Sequence, residues 1–361
     1  MLTRKDKKDK FQSFIKSGHF GIDTFRTIYL FNHNALYSVQ TIDLYGLLIK
    51  KLDNKDIPNN FTESHLVRIK QIVILDVLMK MEILIESTLA LVEGLSKGYS
   101  SVPVIMTRYK TKVIYDIIEH IKNKEYDMSK VLGLPNIDSL PISNEEKNFL
   151  SKLFSLSCES MYKSLLKIID FYQEFSLIYN KTKHGLTFEL GLSHTLDLRL
   201  VPKHPIFTKS MVQAIDKIDE NKMPPGYIRH IPKPNNTIKG YYNAFAVVTF
   251  RKELFKKIRD IKSLLKQIIS YTCESHLTYA MNCGETYIHF SVKDGQVGPR
   301  YFLNELSTDD SARLVKIFKK IVSNMNIDLS ELKTVYEFKS SEIAKSIQDN
   351  IVTNIWVREY L

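Results

Sequence analysis

The sequence predicts an α+β protein that is predominantly α: a helical bundle followed by a small antiparallel sheet with flanking helices. Apolar residues recur at three-four spacing through much of the first half of the chain, which is typical of buried helices. The pattern changes to strict alternation of apolar and polar residues directly after Gly185, which is typical of strands. We therefore expect a helical bundle over residues 1–185 and an α+β domain over residues 186–361.

Composition predicts a globular cytoplasmic protein. Of its 361 residues, 44% are apolar, which is enough to form a sizeable core. The three cysteines are an odd number without the short spacing of a zinc site or a redox dithiol, so we expect reduced thiols. The charged N-terminus has no signal-peptide pattern, and the most apolar stretch, residues 72–95, contains five charged residues. We expect no membrane partner.

Helices account for most of the predicted bundle. The first indicated helix covers about residues 60–98, because Asn60 or Thr62 can cap its start and apolar residues continue on several of its sides. A second helix is predicted over about residues 103–124. Glycine and prolines in residues 128–143 predict a loop.

The third helix has the clearest pattern. It is predicted to begin at Ser143, with Glu145 and Glu146 in its first turn, and to end at Gly185 as a glycine cap. The apolar stripe that predicts it consists of Leu150, Leu153, Met161, Leu165, Ile168, Tyr172, Phe175 and Tyr179. This is a long amphipathic helix.

Strands and helices are mixed in the second half. Asp294 and Gly295 favour a hairpin turn between two short apolar segments, and six prolines between residues 202 and 234 predict irregular backbone. Strands are predicted at residues 186–200, 242–250, 286–292 and 297–302, and helices at residues 251–281, 307–324 and 340–357.

Net charge gives one indication of a partner. The formal charge is +11, and a basic surface attracts phosphate backbones by long-range electrostatics. The helix predicted at residues 251–281 carries Lys252, Lys256, Arg259 and Lys266 along one line. Such a line either contacts phosphate or is simply a solvated lysine face, and the sequence leaves both readings open.

One segment at the end of the third helix has a pattern that can support chemistry. The chain has no phosphate-binding glycine loop, zinc-protease motif or nucleophile elbow, so we expect no metal and no cofactor. Asn180 and His184 are four residues apart, which places them on one helix face. An imidazole can move a proton from a ribose hydroxyl or to a leaving oxygen, while Lys181 or Lys183 binds a phosphate.

These residues resemble a motif of the HEPN superfamily of helical proteins. The segment Asn180-Lys181-Thr182-Lys183-His184 resembles the Asn-x-x-x-His half of that motif, and residues 81–87 resemble the acidic, apolar helix that packs nearby. The resemblance covers about residues 61–190. Tyr179 stands where active members carry arginine, and no other arginine lies in the preceding helical turns.

The resemblance implies an RNA-associated protein, and specifically a metal-independent endoribonuclease of a stress or defence system. It implies His184 and Asn180 as catalytic residues, Lys181 and Lys183 as phosphate contacts, and motifs paired across a homodimer. The alternative is a non-catalytic protein-interaction or dimerisation module. In that case His184 only interacts with the C-terminal dipole of its helix, and Asn180 bonds to backbone or to a neighbouring helix.

Overall fold

Helices dominate the part of the chain that the computed structural model describes, as the sequence predicts. Described are residues 20–54, 62–98, 101–183, 227–230, 246–249, 252–281, 290–293, 296–303, 306–326 and 329–330. The helices are α1 (Phe20–Asp53), α2 (Glu63–Ser96), α3 (Val102–Arg108), α4 (Thr111–Lys122), α5 (Met128–Leu132), α6 (Asn144–Lys183), α7 (Lys252–Met281) and α8 (Thr308–Asn324).

Helix α1 was not predicted. Its apolar residues point in two opposite directions, because Val39, Ile42 and Ile49 are buried whereas Leu44 and Leu47 are exposed. Two apolar faces blur the single stripe by which an amphipathic helix is recognised in a sequence. The 34-residue helix therefore has no clear signature of its own.

The predicted second helix is two helices. Helix α3 ends at Arg108 and α4 begins at Thr111, because Tyr109 and Lys110 adopt extended backbone angles between them. The loop predicted over residues 128–143 is wrong in part, since it contains α5 and a single 3-10 turn, Ile137–Ser139.

The short helix α5 has polar and glycine caps. The Asp127 side chain accepts a hydrogen bond of 3.0 Å from the backbone amide of Ser129, and Gly133 ends the helix with φ of +63°. Gly133 indicates a loop in the sequence, whereas in the structure it is the cap of a helix that is only five residues long.

Helix α6 begins where the sequence predicts. The backbone amide of Ser143 donates to Glu146 Oε2 over 2.8 Å, and the Glu146 amide lies 3.4 Å from the Ser143 hydroxyl. This reciprocal pairing is a capping box. The predicted end at Gly185 lies outside the described residues.

Strands form two separate ladders. Strand β1 (Tyr227–His230) pairs antiparallel with β2 (Ala246–Thr249), and β3 (Phe290–Lys293) pairs antiparallel with β4 (Gln296–Pro299). Each ladder has two strands of four residues, and none of the described residues joins the two ladders. The single small sheet that the sequence predicts is therefore not seen.

Several predicted elements of the second half lie beyond the described residues. The strand at residues 186–200 and the helix at 340–357 belong to this group. The helices at 251–281 and 307–324 are confirmed as α7 and α8.

The chain has two compact units, each made of discontinuous segments. The domain boundary predicted after Gly185 lies outside the described residues and stays a prediction. Unit 1 contains Met1–Leu36, Glu86–Lys167 and Leu265–Leu361, and unit 2 contains Tyr37–Ile85 and Ile168–Leu264.

In unit 1, the start of α6 packs against α8. Leu150, Leu153 and Phe154 of α6 form one apolar cluster with residues of α8 that include Leu314 and Phe318. Ion pairs border the cluster: Arg313 Nη2 lies 2.7 Å from Glu145 Oε1, and Lys320 Nζ lies 2.8 Å from Glu146 Oε2.

Among the described residues of unit 2, four helices contribute buried apolar residues, and two ion pairs join helices to one another. Lys257 of α7 pairs with Glu174 of α6, and Lys262 of α7 pairs with Asp43 of α1. The buried residues include Val39, Ile42 and Ile49 of α1, Val73, Val77 and Leu78 of α2, Phe171, Tyr172 and Phe175 of α6, and Leu254, Ile258 and Ile261 of α7.

Candidate functional site

The predicted site lies at the C-terminal end of α6. Asn180, Lys181 and Lys183 belong to the last turns of this helix, which extends through Lys183. The surroundings of these three side chains and the whole of His184 lie outside the described residues. The structure therefore assigns helical backbone to three of the four predicted site residues.

Tyr179 is a core residue. Its side chain is only 3% exposed, and it completes the buried stripe that contains Tyr172 and Phe175. Tyr179 therefore belongs to the apolar core of unit 2.

The helix line that leads to Asn180 is more accessible than the stripe of Tyr179. Counting back from Asn180 by four and by seven residues reaches Ser176, which is half-buried, and Gln173, which is exposed. The Ser176 hydroxyl donates a hydrogen bond of 3.3 Å to the Gln173 carbonyl. This line of α6 is therefore more accessible than the buried stripe that contains Tyr179.

Basic residues are located on the neighbouring helix α7. Lys257 reaches across to Glu174, which precedes Asn180 by six residues on α6. Lys256 and Arg259 are exposed on the same part of α7, and no described carboxylate lies within salt-bridge distance of either. Lys256, Arg259 and the exposed Lys266 belong to the basic line predicted from the sequence, and the Lys252 side chain lies outside the described part.

A second polar cluster, in unit 1, was not predicted. The Tyr126 hydroxyl donates a hydrogen bond to the carboxylate of Glu93, which is only 4% exposed and also pairs with Lys97. His120 Nδ1 lies 3.3 Å from the same hydroxyl, and Tyr162 donates to the Tyr126 carbonyl over 2.6 Å. Burial, and then the hydrogen bond to Glu93, raise the pKa of Tyr126 far above its usual value.

This cluster stabilises the fold of unit 1. With its pKa raised, Tyr126 stays protonated and donates to the carboxylate, so it is unsuited to act as a base. Its hydrogen bonds join α2 and α6 to the segment between α4 and α5. No sequence motif could have identified it, because Glu93 and Tyr126 are 33 residues apart.

His276 is buried in unit 1 and satisfies a backbone carbonyl. Its Nε2 lies 3.0 Å from the Val131 oxygen, and burial lowers the pKa of the imidazole to about 4. The ring is therefore neutral near pH 7 and donates its proton to the carbonyl. This arrangement agrees with a structural role for the residue.

Two of the three cysteines are described, and both are free thiols. Burial raises the pKa of Cys158 to about 11 and the pKa of Cys273 to about 12. Both side chains therefore remain protonated and poorly nucleophilic at neutral pH. They fit the reduced thiols predicted from the sequence, and Cys283 lies outside the described residues.

Within the described ranges, no group of three or more His, Cys, Asp and Glu side chains is arranged to bind a metal ion. Glu174, one of the acidic residues of α6, is paired with Lys257. None of the helices in these ranges combines the length and the apolar character that crossing a membrane requires.

Comparison with known proteins gives no relative. No family model matches the chain, and neither a curated protein nor a solved structure matches it.

Proposed function

We propose that this chain is a HEPN-like, RNA-associated protein, and more specifically a metal-independent endoribonuclease of a stress or defence system. The observation that carries the proposal is that α6 remains helical through Lys183. Asn180, Lys181 and Lys183 therefore follow one another within the last turns of a helix, directly before His184. This is the local structure that the motif needs.

The charges of unit 2 support a polyanionic ligand. The exposed Lys256 and Arg259 are located on α7, which is joined to α6 through the pair between Lys257 and Glu174. Neutralising phosphates with lysine and arginine releases counterions, which supplies most of the affinity for nucleic acid that is independent of sequence. The net charge of +11 acts in the same direction.

In the proposed reaction, His184 acts as the acid and base and Asn180 orients the ribose phosphate. The imidazole accepts the proton of a ribose 2′-hydroxyl, whose oxygen forms a bond to the adjacent phosphorus. The bond from phosphorus to the 5′-oxygen breaks, and that oxygen takes the proton from the His184 imidazolium, which returns the ring to its neutral form. Lys181 and Lys183 offset the negative charge on the phosphoryl oxygens.

The buried Tyr179 favours a second candidate function, a non-catalytic protein-interaction or dimerisation module. With tyrosine in the core, the motif has no guanidinium to hold a phosphate by two hydrogen bonds, and lysine does not reproduce that geometry. A stable complex with another protein, together with no retention of RNA at physiological salt, would favour this module.

Location and partners belong to the same proposal. We place the protein in the cytoplasm, with RNA as its partner and without a membrane partner. We also propose that residues 186–361 complete a small antiparallel sheet around the short ladders of the second half.

Salt-dependent RNA binding tests the proposal. Lys181→Gln and Lys183→Gln are each expected to weaken binding and to reduce the slope of log affinity against log salt by about one unit or less per lost contact. Lys152→Gln is the matched control, because Lys152 is an exposed lysine of α6 in unit 1. Equal effects in all three variants, or no RNA binding by the unmodified protein, would contradict the proposal.

A further inference from the structure

The second half of α1 has an apolar surface that its own unit leaves uncovered. Tyr37 is 67% exposed, Leu44 is 62% exposed and Leu47 is 58% exposed. On the opposite side of the same helix, Val39 and Ile49 are buried at 4% exposure each. Two leucines and a tyrosine this exposed on one helix face are costly in water, and another apolar surface would relieve that cost.

The exposed residues follow the spacing of a helix-pairing seam. Six exposed residues on this face are separated alternately by three and four positions: Tyr37, Gln40, Leu44, Leu47, Lys51 and Asn54. This alternation is the spacing at which one helix packs lengthwise against another. We call these six residues the α1 seam.

We propose that the α1 seam pairs antiparallel with the same seam of a second copy of this chain. In that register Leu44 packs against Leu47 of the second copy, and the symmetry repeats this contact. Gln40 then faces Lys51 of the second copy, and Tyr37 faces Asn54 of the second copy. A central apolar contact is thus flanked by polar layers whose donors and acceptors match.

Charge complementarity selects the second copy and the antiparallel direction. Asp43 and Lys50 lie beside the seam, and the antiparallel register places Asp43 next to Lys50 of the second copy on both sides of the symmetry axis. Asp43 also pairs with Lys262 of its own chain, yet its side chain remains 55% exposed. A parallel register would instead place Lys51 against Lys51, which is repulsive.

This surface is separate from the proposed RNA site, and the inference does not rest on RNA binding. It belongs entirely to α1 and the residue that follows it, whereas the proposed site belongs to the end of α6. Failure of RNA binding would therefore leave self-association through the α1 seam in place.

Sedimentation velocity of the full chain over a concentration series tests the inference. The unmodified protein is expected to dimerise reversibly, and Leu44→Ser is expected to weaken the dimer at least about tenfold, since each dimer loses two buried leucines. Leu156→Ser is the matched control, because Leu156 is a leucine of α6 that is 51% exposed. A monomer at every concentration, or equal effects of the two variants, would overturn the inference.

Two changes at Gln40 test the register without removing an apolar contact. Gln40→Glu faces Lys51 of the second copy and is expected to strengthen the dimer by about two- to tenfold, whereas Gln40→Lys is expected to weaken it by a similar factor. In a parallel pair Gln40 would face itself, so both changes would weaken the dimer. That result would overturn the antiparallel register, even if Leu44→Ser proved to unfold the chain.

Discussion

Polar side chains in the core of unit 1 are held by particular partners, and the contact between Glu93 and Tyr126 is the clearest case. The Glu93 carboxylate is buried. It accepts a hydrogen bond from the Tyr126 hydroxyl and forms an ion pair with the Lys97 ammonium group. A buried carboxylate that loses a donor bears the cost of an unmade hydrogen bond, which is typically about 1–3 kcal/mol. Removal of the Tyr126 hydroxyl oxygen alone should therefore lower the stability of unit 1.

We predict that Tyr126→Phe lowers the free energy of unfolding by about 1–2 kcal/mol, toward the low end of that range because Tyr126 is only half-buried. Urea denaturation of the unmodified protein, Tyr126→Phe, Glu93→Ala and the double variant forms a double-mutant cycle that isolates the contact, since alanine has no acceptor for the hydroxyl. Additive effects of the two changes would show that the hydrogen bond contributes nothing.

Acid should lower the stability of the fold through the buried His276. The pKa of His276 is about 4 in the folded chain, against about 6.5 when the chain is unfolded. Between these values the unfolded chain binds a proton that the folded chain does not, so stability falls as pH drops from about 6.5 to about 4. The His276 imidazole lowers the free energy of unfolding by roughly 3 kcal/mol at most over this interval.

Denaturation at pH 7 and at pH 4.5 checks this effect. The variant His276→Gln keeps an N–H donor for the Val131 carbonyl and has no titrating ring, so it should lose clearly less stability than the unmodified protein over this interval. Parallel pH profiles for the two proteins would mean that the imidazole is already accessible to protons.

Residues that act through distant partners were beyond sequence reasoning. His276 belongs to no sequence motif, and its partner Val131 is 145 residues away. Tyr126 has no signature at all. Contacts of this kind depend on the tertiary fold, and spacing along the chain carries no information about them.

At the scale of elements, two glycines in long helices have opposite surroundings. A Cβ atom added at Gly94 in α2 would lie 2.9 Å from the Cα atom of Val102, at the start of α3. A Cβ atom added at Gly46 in α1 would meet nothing within 4 Å. Gly94 therefore allows close approach of two backbones, whereas Gly46 only weakens its helix.

The two alanine variants should change stability in opposite directions. Gly94→Ala is expected to lower the free energy of unfolding by about 1–3 kcal/mol, because the backbone of α3 must shift. Gly46→Ala is expected to raise it by about 0.5–1 kcal/mol, through the higher helix propensity of alanine. Thermal and urea unfolding of both variants measure the difference, and stabilisation by Gly94→Ala would contradict the close packing.

Elements with local signals were predicted well, and elements without them were missed. The capping box of Ser143 and Glu146 marks the start of α6 within one residue, because both partners lie in one helical turn. Helix α1 gave no such signal, because its apolar residues are divided between a buried face and the exposed α1 seam. The described strands form two separate ladders and not one sheet, and alternation could not foresee this because it identifies strands but not how many of them pair.

At the scale of the whole molecule, the helical class was predictable and the candidate site only in part. The sequence places Asn180, Lys181 and Lys183 on the third helix, and α6 includes all three. The apolar stripe of the third helix includes Tyr179, and the structure confirms that this side chain is buried. The function itself stays a proposal, which one assay can test.

Cleavage of labelled single-stranded and hairpin RNA in the presence of EDTA, by the purified protein and by His184→Ala, is the most direct test of the proposed function. We predict cleavage that persists with the chelator and is lost in the variant, which would establish a metal-independent ribonuclease and assign His184 to its site. Equal cleavage by both proteins, or no cleavage by either, would contradict the catalytic role of His184.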